Sequence, residues 1–398
     1  MNARIIALAT LLAGSAAAQT LTTIYSFGSD PAGLTAGPGG VLYGTMAVSP
    51  GSVYSLTPPT SSGGSWTYTN LRTFGPLAQG EWPAGAVAIG KGGVLFGATQ
   101  GGGQYCIECG TVYQLTPPTS AGGAWAFEVI YSFGGPGTIG TFPTAGVVVG
   151  SNGVVYGSTS FGGSGNSTGT IYSLTPPASS GGSWTYATLH SFTGGSDGSD
   201  PIALRVVPGG LLGTASGGAL GQGTIFALTP PTTPGNPWTF TTIYTFTGGG
   251  DGATPTNLLP GKGEILYGAA STGGGNGQGT VFSLTPPAVP GVSWTFTTLY
   301  TFTGNADGGY PLGVVAGLHG NLFGSAVHGG SEGVGVVFKL IPPVLPDDAW
   351  SELTLANFNY NDAYPYFGVT FGFEGALYGI TFDVGLYGIT GSIFSLAQ

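Results

Sequence analysis

The stretch TVFSLTPPAVPGVSWTFTTLYTF, residues 280–302, returns along the chain in recognisable copies: TVYQLTPPTSAGGAWAFEVIYSF from Thr111 and TIYSLTPPASSGGSWTYATLHSF from Thr170. In each copy two short apolar runs flank a Pro- and Gly-rich segment. Such residues stop a strand by removing an amide donor or by admitting positive φ, so the unit reads as strand, turn, strand.

A second signature accompanies the first. VLYGT around Tyr43 returns at Phe96, Tyr156, Leu212, Tyr267, Phe323 and Tyr378, at intervals of 53 to 60 residues. A Pro recurs at Pro31, Pro83, Pro143, Pro201, Pro255, Pro311 and Pro365, where it suits the first residue of a strand, which needs no ladder donor. Each unit therefore parses into four strands: the Pro run, the Leu-Tyr-Gly run, the Thr-Val-Phe-Ser-Leu run and an aromatic run. In the aromatic run Trp294, Phe296, Tyr300 and Phe302 keep even spacing, which predicts four rings on one buried face.

Seven four-stranded units predict an all-β, seven-bladed β-propeller, in which radial closure protects sheet edges and each blade buries its face on the next. A parallel β-solenoid is the competing architecture, but it does not need four distinct strand signatures per unit. The chain stops at GSIFSLAQ, after a third strand, and the segment TLTTIYSF from Thr20 resembles a fourth. The N-terminal strand is expected to complete the last blade. One propeller domain is expected over residues 19–398.

Composition agrees. The 398 residues include 79 Gly and 29 Pro, yet 41% are hydrophobic and 12% aromatic, so the chain is turn-rich and still able to bury a core. Charged residues make up 6%, and no stretch shows a helical apolar period. Residues 1–18 read as a secretory signal: Asn2 and Arg4, the apolar run from Ile5 to Leu12, then Ala16-Ala17-Ala18 before Gln19. A secreted, extracellular monomer is expected. No later run is long enough to span a membrane. Without Arg4, five basic residues face 16 acidic ones, a balance that argues against nucleic acid or anionic lipid as partner.

The stretch LYGAASTGGGNGQGTVFSLTP with the following LYTFTGNADGGYP is similar to the GloVer (Gloeo/Verruco) tandem repeat. The resemblance implies a secreted bacterial repeat protein, and members often precede a C-terminal cell-surface anchor. No hydrophobic tail follows here, so release is expected. The resemblance implies no established chemistry.

Strand order decides which loops meet. Loops of the TGGGDGATP and STGGGNGQGT types are expected on one face, around one mouth of the channel. The residues before the seven prolines, Asp30, Trp82, Phe142, Asp200, Thr254, Tyr310 and Tyr364, form the candidate ligand-binding ring. Rings stack on sugar faces and carboxylates accept from hydroxyls, so a glycan or other extracellular polymer is the expected partner. Packing between the blades is the competing role for these rings.

Cys106 and Cys109 in QYCIECGT read as a local disulfide. Asp197, Asp251 and Asp307, each followed by Gly, read as turn caps, since no copy has the ligand density of a calcium loop. No metal site and no cofactor are expected. No nucleophile motif is present, and Asp30 with Asp200 is the best available acid pair. A lyase or lactonase centre would need a cationic or metal cluster near the axis, where only Arg205 stands.

Overall fold

The structure, a computed structural model, describes residues 19–398 apart from 62, 76, 121, 136, 138–139, 164–166, 180, 234, 290–292, 346–347, 361–363 and 386–387. The signal segment expected at residues 1–18 lies outside the described residues. Seven antiparallel four-stranded sheets form the blades. Blade 5 is typical: Ala253–Pro260 is innermost, followed outward by Leu266–Thr272, Thr280–Thr285 and Thr295–Thr301. Inner strands touch the inner strands of neighbouring blades, and blade 1 touches blade 7, which closes the ring.

Blade 7 consists of Pro365–Phe371, Leu377–Gly385, Gly388–Leu396 and, outermost, the N-terminal strand Leu21–Phe27. Leu21 pairs with Leu396 and Phe27 with Gly391. The two ends of the chain thus share one sheet.

The inner strand opens at the repeated Pro only in blades 1 and 7. In blades 2, 4, 5 and 6 it begins two residues earlier, at Glu81, Ser199, Ala253 and Gly309. The ladder shifts register around the Pro, which can offer no donor there. In blade 3 only Val148–Val149 pairs as an inner strand, and Pro143 stands outside it.

One expectation is overturned. The four aromatics of the outer strand do not share a face, because a one-residue β-bulge interrupts every outer strand. In blade 5, Phe282 pairs with Thr298 but Val281 pairs with Tyr300, leaving Leu299 as the extra residue. The alternation reverses at that point. Phe296 therefore stacks on Tyr244 of blade 4, centroids 4.3 Å apart, while Phe302 meets Phe338 of blade 6 at 5.0 Å. The outer strand contributes to two interfaces instead of one.

The Leu-Tyr-Gly glycine and the third strand interlock within each blade. A Cβ on Gly268 would lie 2.4 Å from Cζ of Phe282, so only Gly lets that buried ring lie flat across the sheet. Between blades, the Trp preceding an outer strand meets the Leu-Tyr-Gly aromatic of the previous blade edge-on, as in Trp125 on Tyr43 at 6.2 Å and Trp350 on Tyr267 at 6.3 Å. Such pairs contribute about 1 kcal/mol beyond area burial. Blade 4 supplies Leu212 in place of a ring, and a cavity of about 280 Å³ lies between Leu212 and Trp294.

Candidate functional site

Five residues before a repeated Pro, Phe142, Asp200, Thr254, Tyr310 and Tyr364, are joints between blades, each donating its amide to the preceding blade. The Tyr310 amide donates to the Gln278 carbonyl of blade 5 at 2.8 Å, and the Tyr364 amide to Val334 of blade 6 at 3.0 Å. On the other side the Tyr364 carbonyl accepts from Phe382 in its own blade, as Asp30 does from Ala47. The register fixes these joints at one level: Pro31, Pro201, Pro255, Pro311 and Pro365 all pair with the residue two past the Leu-Tyr-Gly glycine. Loops on this side meet as expected, with Gly103 donating to Leu77 and Gly274 to Gly249.

Trp82, Phe142, Asp200, Thr254, Tyr310 and Tyr364 all have left-handed φ, between 46° and 61°. That conformation costs a non-glycine residue about 1–2 kcal/mol. Asp200 and Thr254 are exposed and the other five members half-buried.

The structure brings some of these side chains together and keeps others apart. Tyr310 packs edge-on to His328 at 4.9 Å, and His328 faces Tyr364 at 6.2 Å, making an arc across blades 6 and 7. Phe142 packs on Phe161 at 5.4 Å. Asp200 accepts from the Ser160 hydroxyl at 2.6 Å, and Ser160 is hydrogen-bonded to Thr144 at 2.7 Å. Thr254 is hydrogen-bonded to Thr272 at 3.2 Å. The Trp82 ring covers Gly101. Asp30 stands three blades from Asp200, and burial holds its pKa above the ordinary carboxylate value. Sequence reading left out His328, Phe161 and Ser160. Their common signal is the end of the second strand, which register places beside the ring.

Below the ring a channel cavity of about 790 Å³ takes wall residues from all seven inner strands, from Thr35 in blade 1 to Tyr366 and Phe367 in blade 7. Arg205 is the one charged residue among those lining it, and its Nε donates to the Leu258 carbonyl at 2.9 Å.

The sequence profile of the Gloeobacter/Verrucomicrobia repeat matches residues 106–289 and again 208–398. The chain belongs to this repeat family. No curated protein matches it. Among solved structures, the extracellular domain of a protein described as a one-component system from B. thetaiotaomicron shares 12% identity at a TM-score of 0.56, covering 96% of this chain and 42% of that one. A protein described as an oxidoreductase (glucose dehydrogenase) from Thermus thermophilus shares 15% identity at 0.48, covering 95% and 99%. A Trichoderma reesei carbohydrate-active enzyme of family AA12 shares 13% at 0.47, covering 96% of each. The likeness to the B. thetaiotaomicron domain, at 12% identity, is one of fold alone.

In blades 4 to 6 the Asp-Gly carboxylate clasps its own loop: Asp251 accepts from the Thr247 amide at 2.7 Å and hydroxyl at 2.5 Å, and from the Tyr244 hydroxyl at 3.0 Å. Asp307 does the same with Thr303 and Tyr300. Asp197 uses Thr193 and, in the tyrosine's place, His190 at 3.1 Å. Burial lowers the His190 pKa and Asp197 opposes that shift, while the ring stacks on Phe240 at 3.9 Å. With their oxygens so engaged, these carboxylates are turn clasps. Among the described residues no group of three or more His, Cys, Asp or Glu gathers as a metal site. Cys106 and Cys109 are disulfide-bonded, Cα atoms 5.4 Å apart, and the Cys109 carbonyl accepts from the ring residue Phe142. No helix among the described residues is long and apolar enough to cross a membrane.

Proposed function

We propose that this protein is a secreted binding module that holds a glycan or similar polyhydroxylated polymer at the channel mouth formed by the pre-proline ring. One observation carries the reading. Six ring positions adopt a backbone that glycine would adopt without strain, in a chain with 79 Gly, yet they keep Trp, Phe, Asp, Thr, Tyr and Tyr. Persistent strain of this kind clusters at ligand clamps and binding sites. The rings supply stacking faces, and Asp30 and Asp200 supply acceptors for hydroxyls.

Tryptophan fluorescence tests this. Trp82 is the ring tryptophan, while Trp66, Trp125, Trp184, Trp238, Trp294 and Trp350 each immediately precede an outer strand and act as an internal control. Stacking one sugar face contributes on the order of 1 kcal/mol, as in aromatic pairs, so affinity for a single sugar is weak and rises with multivalent ligands. An oligosaccharide panel should give saturable quenching that Trp82→Ala with Tyr364→Ala removes while the fold persists. Absence of any saturable ligand would leave a structural envelope or matrix role.

A further inference from the structure

We propose that the channel below the mouth holds an amphipathic organic anion, its carboxylate gripped by Arg205 and its apolar body lying along the wall. The inference is independent of the mouth site and concerns a different ligand. The wall includes the partly exposed residues Ala86, Ala145, Ile202, Leu312 and Phe367, and its 790 Å³ accommodates an acyl or aryl chain. Arg205 is open to the channel, among apolar walls that cost a cation part of its hydration unless it is paired. No carboxylate among the described residues pairs with Arg205, whose recorded hydrogen bond is from Nε to Leu258 in the next blade. Asp200, five residues upstream in the same strand, is engaged by Ser160.

The hydrogen bond at Nε also fixes the guanidinium plane. Both terminal amino groups are then left as a parallel pair of donors, the geometry that meets the two oxygens of a carboxylate. On the far side of the channel Tyr366 is half exposed, at 54%, and its hydroxyl has no partner among the described residues. It is placed to bond a polar group at the ligand's other end. In a chain with six basic residues against 16 acidic ones, a channel arginine without a counter-ion is the feature that a bound anion completes.

Isothermal titration of the full chain tests the proposal with three probes: octanoate, octan-1-ol and inorganic phosphate. Octanoate should bind at least ten-fold more tightly than octan-1-ol, and phosphate alone should bind far more weakly. Arg205→Gln should bring octanoate down to the level of the alcohol, and Arg205→Lys should keep part of the preference because it retains charge without the fork. Thermal melts confirm that each variant is folded. Should Arg205→Gln not fold, the comparison of acid with alcohol on the native chain still decides. Equal affinity for acid and alcohol, undiminished octanoate binding to a folded Arg205→Gln, phosphate binding as well as octanoate, or no binding at all would each overturn it. Trp82→Ala should leave octanoate affinity unchanged, which separates this site from the mouth.

Discussion

Pro255 rests on the bare Cα of Gly223: a Cβ there would lie 2.3 Å from the proline Cδ. The same contact joins neighbouring blades elsewhere in the ring, with Gly279 under Pro311 at 2.6 Å and Gly391 under Pro31 at 2.3 Å across the closure. Gly223 also has φ of 103°, so an L side chain is excluded twice. Gly279→Ala should destabilise by more than about 2 kcal/mol, combining left-handed strain with overpacking. Gly277, at φ 73° with open space around it, supplies the control: Gly277→Ala should cost about 1 kcal/mol from strain alone. Chemical denaturation of the two variants reads the difference.

Leu212→Tyr should stabilise the protein. Its ring would enter the 280 Å³ cavity and meet Trp294 as Tyr43 meets Trp125. A gain of about 1 kcal/mol is expected, visible as a rise in melting temperature. A fall would mean that the blade 4 backbone cannot place the ring.

Stability should decline between acid and neutral pH through Glu352. This residue occupies the outer-strand position held by Phe296 one blade earlier, and burial, with Asp307 nearby, pushes its pKa up to about 7. The folded value lies above the ordinary 4.5. The unfolded chain therefore releases its proton first, and stability falls as pH rises from about 4.5 to about 7, then levels. Glu352→Gln should flatten this part of the profile in melts taken from pH 4 to 8. Glu352→Phe should exceed wild type most at pH 8, since it restores a ring beside Tyr300.

Reducing the Cys106–Cys109 bond should leave the melting temperature nearly unchanged. The bridge spans a sequence separation of 3 and removes little entropy from the unfolded chain. A drop of more than about 10 °C would show that the Cys109 carbonyl and Phe142 depend on it more deeply than loop closure allows.

Deleting residues 19–28 should expose the edge of Gly388–Leu396 and promote aggregation. Light scattering during a thermal ramp measures it.

The architecture was legible because Gly, Pro and aromatic residues each serve one repeated steric purpose, so their spacing carries the strand plan. The bulge was not legible. Leu299 has nothing in its chemistry that marks it as the extra residue, and a single insertion reverses the parity on which Tyr300 and Phe302 were assigned to a face. The ring positions could be named from their prolines, but their left-handed backbone could not, because the steric clash with proline argues against the helical regions in general. Arg205 was visible as a lone charge. Its pairing with Leu258 depends on the next blade and has no local trace.

The clasp between Leu21–Phe27 and Gly388–Leu396 has a direction. Its first rung, Leu21 with Leu396, lies at the end where both chain termini leave the sheet. A force pulling the two termini apart would load that rung alone, then the next, peeling the pair open at low tension. Heat has no such starting point, since within a closed ring every blade has two neighbours. The same closure would therefore resist temperature as a whole and yield to traction one rung at a time.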